Sequence, residues 1–207
     1  MSFYNRYILP KLINCGCAAS NVSKQRAKIV PLAKGQVLEI GIGTGLNLPF
    51  YDTAQVDHLW GLEPAGEMLN QVEDKLRVAA LPFEIQLMES MAENILLEDS
   101  SIDTIMITYT LCSIPDVALA MSEMKRVLKP DGQLLFCEHG AAPDPGVLKW
   151  QNRINPIWKR IGGGCNLNRR IPDLILQGGF EIDKLESMYI PGWKPACFNY
   201  WGSASIK

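Results

Sequence analysis

At 207 residues, 47% hydrophobic and 20% charged, the chain is long enough for one fully cored domain and too short for two of ordinary size. No stretch approaches the ~20 apolar residues that span a bilayer, and Pro10 and Lys11 interrupt the apolar residues between Phe3 and Ile13, so neither a membrane span nor a secretory leader is expected. The net charge of -2 argues against a general nucleic-acid binder, yet it hides a segregation: residues 1–38 and 145–172 each carry six Lys or Arg and no acid.

In chain order, residues 1–35 are expected to form a helical cap. Gln36–Ile40 and His58–Leu62 are short apolar runs ending in glycine and in Glu63, and they read as buried strands. Between them lies the glycine-rich stretch Glu39-Ile-Gly41-Ile-Gly43-Thr-Gly45. Met68, Leu69, Val72 and Leu76 recur at three- and four-residue steps, which predicts a crossover helix over 67–79. Phe83–Met88 and β-branched Ile102–Tyr109 read as the third and fourth strands. A second amphipathic helix follows, from Val117 to Leu128, with Lys125, Arg126 and Lys129 at its C-terminus and Pro130-Asp-Gly132 as its stop. Leu134–Glu138 is the fifth strand, and the strand–helix alternation implies a mainly parallel sheet covered on both faces. Residues 140–170, with Pro143, Pro145 and Gly162-Gly-Gly164, break the rhythm and read as a partly helical insertion. A last helix over Ile171–Gln177 and a terminal hairpin of 180–189 with 199–205 complete the chain.

Glycines directly after the first strand let the backbone turn sharply and approach a ligand with no Cβ in the way. Leu46 stands where a dinucleotide-binding G-x-G-x-x-G loop needs its last glycine, which disfavours a nicotinamide cofactor. Glu63, at the end of the second strand, is placed to accept hydrogen bonds from two ribose hydroxyls. The six cysteines are scattered, and a reducing, cytoplasmic setting is the simpler reading. Cys15-Gly-Cys17 could begin a metal site, but His58 and His139 are far off in sequence, so no metal is expected.

Val37-Leu-Glu-Ile-Gly-Ile-Gly-Thr-Gly45, Glu63-Pro64, Ala92-Glu93 and Arg126-Val-Leu-Lys-Pro-Asp-Gly132 resemble the signature of class I S-adenosylmethionine-dependent methyltransferases. The resemblance implies a Rossmann-like α/β three-layer sandwich, with a mainly parallel seven-stranded sheet and an antiparallel C-terminal strand, in a single domain over 1–207. It also implies S-adenosylmethionine as cofactor. Glu39, Gly41, Ile42, Gly43 and Gly45 would wrap its methionine and ribose parts, Glu63 and Pro64 would hold the ribose, and Met68 would pack near the adenine. Where many relatives place an Asp before the Ala-Glu pair this chain has Met91, so adenine recognition would fall to backbone groups of Met91 and Ala92. Asn47 and Tyr51, Thr110-Leu-Cys-Ser113, Glu138-His139, Gly164-Cys-Asn-Leu167 and the hairpin are further similar to the branch that includes membrane-associated alkyl thiol methyltransferases. A small-molecule acceptor, a thiol foremost, is therefore expected. An O-, N- or C-methyltransferase of a quinone precursor or phospholipid headgroup, or a non-catalytic cofactor binder, stays open. Those relatives carry a long hydrophobic N-terminal anchor, whereas the shorter basic and aromatic segment here suits peripheral membrane contact; oligomeric state is left open.

Ligands of an open parallel sheet sit beyond the carboxyl ends of the strands, which places Thr108 beside the cofactor and Tyr109 and His139 at the pocket's edge. His139 is the candidate general base, with a strand-end cap or a bond to the insertion as the equal alternative. Tyr109 is placed near the sulfonium, where its ring face would attract the positive charge, or else in the core. Cys112 and Cys165 read as packing residues. The N-terminal cap and the 140–170 insertion are expected to form a lid.

Overall fold

The computed structural model describes residues 16–77 and 81–206. The first half of the expected N-terminal cap, Cys15, and the last residues of the helix expected to run to Ala79 lie outside them.

Seven strands, β1 (Gly35–Ile40), β2 (Val56–Leu62), β3 (Glu84–Met88), β4 (Ile102–Thr108), β5 (Leu128–His139), β6 (Phe180–Tyr189) and β7 (Phe198–Ile206), form one sheet in the order β3-β2-β1-β4-β5-β7-β6. The β3-β2-β1-β4-β5 pairs are parallel, and β7 runs antiparallel to both β5 and β6. The helices are α1 (Ser20–Ile29), α2 (Gly66–Leu76), α3 (Val117–Val127), α4 (Pro145–Ile161) and α5 (Ile171–Gln177).

Alternation along the strands divides the core between two faces. Leu38, Ile40, Ile105, Ile107, Leu134 and Phe136 pack with Met121 and Met124 of α3 and Ile171 and Ile175 of α5. Val37, Leu59, Met106, Leu135 and Cys137 pack on the other side with Ile29 of α1 and Leu69 and Val72 of α2. This is the Rossmann-like three-layer sandwich that the sequence predicts, with both faces of the parallel strands covered.

One boundary differs. Helix α3 ends at Val127, and Leu128 is already extended (φ -74°, ψ 134°), so Pro130-Asp-Gly132 lies inside β5 and does not form the helix stop. A residue before proline is pushed out of helical geometry, and the chain takes up the extra length as a bulge, pairing Ile102 with Leu128 and Thr104 with Gln133. Lys129 consequently serves no helix terminus; its Nζ pairs with Asp103 at 2.7 Å. Leu128 is buried in either geometry, which is why its helical spacing misleads.

The 140–170 region is partly helical, as expected. Helix α4 runs 17 residues through Pro156, with Gln151 its one buried residue. Gln151 is 0% exposed; its Nε2 donates to the carbonyls of Gly140, Leu167 and Pro195 at 2.8–3.0 Å, and its Oε1 accepts from Ala142 N–H at 2.9 Å. A single amide thus fastens the helix to three loops.

Candidate active site

Beyond Ile40 the chain turns through Gly41 (φ +70°) and Gly43 (φ +57°), both left-handed. A Cβ on Gly41 would run into the Thr110 side chain, whereas a Cβ on Gly43 would meet nothing closer than Gly41 O at 3.9 Å, so that side of its backbone faces open space. That space is a cavity of about 410 Å³ at the carboxyl ends of β1, β2 and β4. Glu63 ends β2 at its wall, accepting from Gly43 N–H at 3.2 Å and from Ala65 N–H at 3.1 Å. Burial raises its carboxyl above the ordinary value although both donors pull it down.

Most of the residues singled out from sequence meet here. Gly41, Ile42, Gly43, Glu63, Pro64 and Met68 line the cavity together with Met91, Ala92, Thr108 and Tyr109. Glu39, Gly45, Asn47 and His139 do not. Gly45 is needed for the turn itself, because a side chain there would be strained at φ +73° and would meet Leu48 at 2.8 Å.

Glu39 and Asn47 belong to a buried polar relay under the loop. Arg26 of α1 donates to Asn47 Oδ1 at 2.7 Å and to Thr108 Oγ1 at 2.6 Å; Asn47 Nδ2 donates to Glu39 Oε1 at 2.9 Å, and Tyr51 OH donates to Glu39 Oε2 at 2.7 Å. Burial drives the Glu39 carboxyl up to about 7, against the pull of Tyr51, Arg26 and Asn47. Arg26 also lines the cavity, and its guanidinium lies 5.2 Å from the Tyr109 ring centre. Sequence reasoning missed this role: the buried stripe of α1 is Gln25, Arg26 and Ile29, which no hydrophobic periodicity marks as inward. Cys17, Ser113 and Gly163 are further wall residues; each lies in a stretch that the sequence marks, Cys15-Gly-Cys17, Thr110-Leu-Cys-Ser113 and Gly162-Gly-Gly164, but the sequence assigns none of them to the cofactor site.

At the other end, Tyr109 adopts φ 55°, a strained geometry for a bulky residue. Its hydroxyl donates to Asn199 Oδ1 at 2.5 Å, and burial raises its pKa. Glu138 braces the next turn, its Oε1 accepting from the N–H groups of Thr110 at 2.7 Å and Leu111 at 2.9 Å. His139 lies behind Tyr109, its ring parallel at 6.4 Å, with Nε2 3.2 Å from Cys165 Sγ. Burial would lower its pKa, but Cys165 and Glu138 outweigh that and the net direction is upward. His139, the candidate base, is thus not among the residues that line the cavity, and its Nε2 faces Cys165 of the insertion.

Residues 38–136 match the methyltransferase domain family. The chain is 34% identical over 192 residues to human thiol S-methyltransferase TMT1B, covering 83% of this chain and 72% of that protein. It is 33% identical over 181 residues to the rat TMT1B protein, covering 79% and 65%. The chain thus spans roughly two thirds of the length of these relatives. Among solved structures, the YcgJ protein of Bacillus subtilis superposes with a TM-score of 0.69 at 18% identity, covering 90% of this chain and 97% of that one. That likeness concerns the fold.

Proposed function

The chain belongs to the class I S-adenosylmethionine-dependent methyltransferases, and from that membership we propose that it methylates the sulfur of small thiols. The similarity to the TMT1B thiol S-methyltransferases carries the choice of acceptor. The residues fit the cofactor: open space at Gly43 leaves room for a ligand against the backbone, and Glu63 presents a buried carboxylate at the end of β2.

When bound, the cofactor supplies an electrophilic methyl group on a sulfonium. Glu63 would hold the ribose hydroxyls, and Gly41 to Gly43 would hold the methionine and ribose parts. Met68, Met91 and Ala92, which line the cavity, would pack about the adenine. Tyr109, with its hydroxyl fixed by Asn199 and its backbone strained into place, would offer a ring face to the sulfonium. Arg26, the cation on the wall nearest that ring, favours the thiolate form of an acceptor whose free pKa is ~8.5. The thiol proton would leave to solvent or buffer, and the thiolate held beside Arg26 and Tyr109 would take the methyl group that the cofactor supplies. The cap (through Cys17 and Arg26) and the turn after α4 (through Gly163) serve as the lid that excludes water.

The test is an acceptor panel scored by S-adenosylhomocysteine release. Turnover is expected with small alkyl thiols; reaction only with phenols, amines or quinones would replace the thiol reading.

A further inference from the structure

The fold brings together three soft donors that sequence separation keeps apart. Cys112 follows β4, His139 ends β5 and Cys165 lies between α4 and α5, and the two sulfurs and one imidazole nitrogen all lie within 4.8 Å of one another. We propose that Cys112, His139 and Cys165 form a zinc-binding site beside the cavity.

The distances suit a metal of that size. Donors about 2.3 Å (sulfur) and about 2.0 Å (nitrogen) from a tetrahedral ion lie roughly 3.5–3.8 Å from one another. The observed 3.2 Å between His139 Nε2 and Cys165 Sγ thus needs an opening of only a few tenths of an ångström. The frame is already braced. Asn166 N–H donates to Cys112 O at 3.0 Å, and Asn166 Nδ2 donates to Cys112 O and to Gly164 O, both at 2.9 Å, locking the two cysteine-bearing segments together. Trp158 Nε1–H donates to Cys165 Sγ at 3.4 Å, a partner that suits a thiolate.

Chemistry selects the ion. Two thiolates and an imidazole favour zinc or another soft metal over magnesium or calcium, which seek oxygen. Two thiolate charges cancel the ion's two, so the partly buried cluster gains no net charge. His139 Nδ1 is buried without a hydrogen-bond partner among the described residues, leaving Nε2 as the nitrogen aimed at the sulfurs. Three protein donors leave one position for a further ligand. Bound zinc would tie the post-β4 turn, the end of β5 and the α4–α5 connection into one wall, whether or not the acceptor is a thiol.

The full chain, reduced, stripped with a chelator and dialysed, is titrated with Co²⁺ as a spectroscopic stand-in. Expected are a near-ultraviolet thiolate-to-cobalt band and the strong visible bands of a tetrahedral ion, saturating at a single ion per chain and bleached by Zn²⁺. Cys112→Ser and Cys165→Ser should each weaken Zn²⁺ binding more than tenfold, while Cys197→Ser leaves it unchanged. Zn²⁺ should raise the thermal midpoint of the stripped wild type but not of either cluster variant, with circular dichroism confirming that each is folded. No thiolate band in the wild type, or a band that survives in the Cys112→Ser/Cys165→Ser double variant, would overturn the proposal; the wild-type titration decides even where a variant fails to fold.

Discussion

Glu63 and Glu39 are both buried carboxylates at the ends of neighbouring strands, yet their surroundings assign them different work. Glu63 faces the cavity with two backbone donors, so its loss should act on ligand affinity. A hydrogen bond to a charged group contributes about 1.5–3 kcal/mol. Glu63→Ala should therefore weaken S-adenosylhomocysteine binding by about ten- to a hundredfold in calorimetry, and unchanged affinity would remove Glu63 from the cofactor site. Glu39 faces the protein, and its carboxyl rises from an ordinary 4.5 to about 7. A raised carboxyl binds its proton more tightly when folded. Its contribution is thus fully present below pH ~4.5 and is lost as pH rises through about 7, amounting to about 3 kcal/mol. Denaturant unfolding at pH 5 and pH 8 should show a larger loss of stability in the wild type than in Glu39→Gln, which carries no titrating group; equal losses would refute it. The Gly41–Gly45 loop and Glu63 are legible in sequence because each is tied to a strand end. Arg26 is not, because a buried arginine reached through Asn47 and Thr108 looks like any surface cation until the fold places it.

Elements whose packing is periodic are readable: Met121, Met124 and Val127 place α3, and Leu69 and Val72 place α2, because their spacing repeats the helical turn. The end of α3 is not, since Leu128 satisfies a helical and a strand pattern alike and only the Ile102 pairing decides between them. Helix α4 is the extreme case. It buries no apolar stripe and is docked through Gln151, whose four hydrogen bonds reach Gly140, Ala142, Leu167 and Pro195. Gln151→Leu keeps the volume but strands those backbone groups, and each unsatisfied buried group costs about 1–3 kcal/mol. The local consequence should exceed the global one, because α4 adds little to the apolar core. Hydrogen exchange across 145–161 should accelerate at least tenfold in Gln151→Leu while the β1, β4 and β5 amides keep their protection. Uniform acceleration of both sets would show that α4 is not a separate unit.

At the scale of the whole molecule, the unequal charge distribution acquires a direction. Residues 145–172 supply Lys149, Arg153, Lys159 and Arg160 on or beside α4, and the same helix exposes Trp150 (59%) and Ile157 (68%) one heptad apart, with the Arg153 guanidinium 5.8 Å from the Trp150 ring centre. No helix among the described residues is long and apolar enough to cross a membrane. Basic and aromatic residues interleaved on an exposed helix instead suit the headgroup region of an anionic bilayer, where each Lys or Arg contributes about 1 kcal/mol. Peripheral attachment through α4 is the proposal that follows, and it would set the cavity wall at Gly163, two residues past the helix, beside the lipid surface. Cosedimentation should detect binding to vesicles containing phosphatidylserine, weakening as salt screens the charges, and none to purely zwitterionic vesicles. Burying a large apolar side chain contributes about 1.5–3 kcal/mol, so Trp150→Ser/Ile157→Ser should reduce the affinity more than tenfold. Undiminished binding by that variant would assign the attachment to the basic N-terminal residues rather than to α4. Equal binding to neutral vesicles would remove the electrostatic argument altogether.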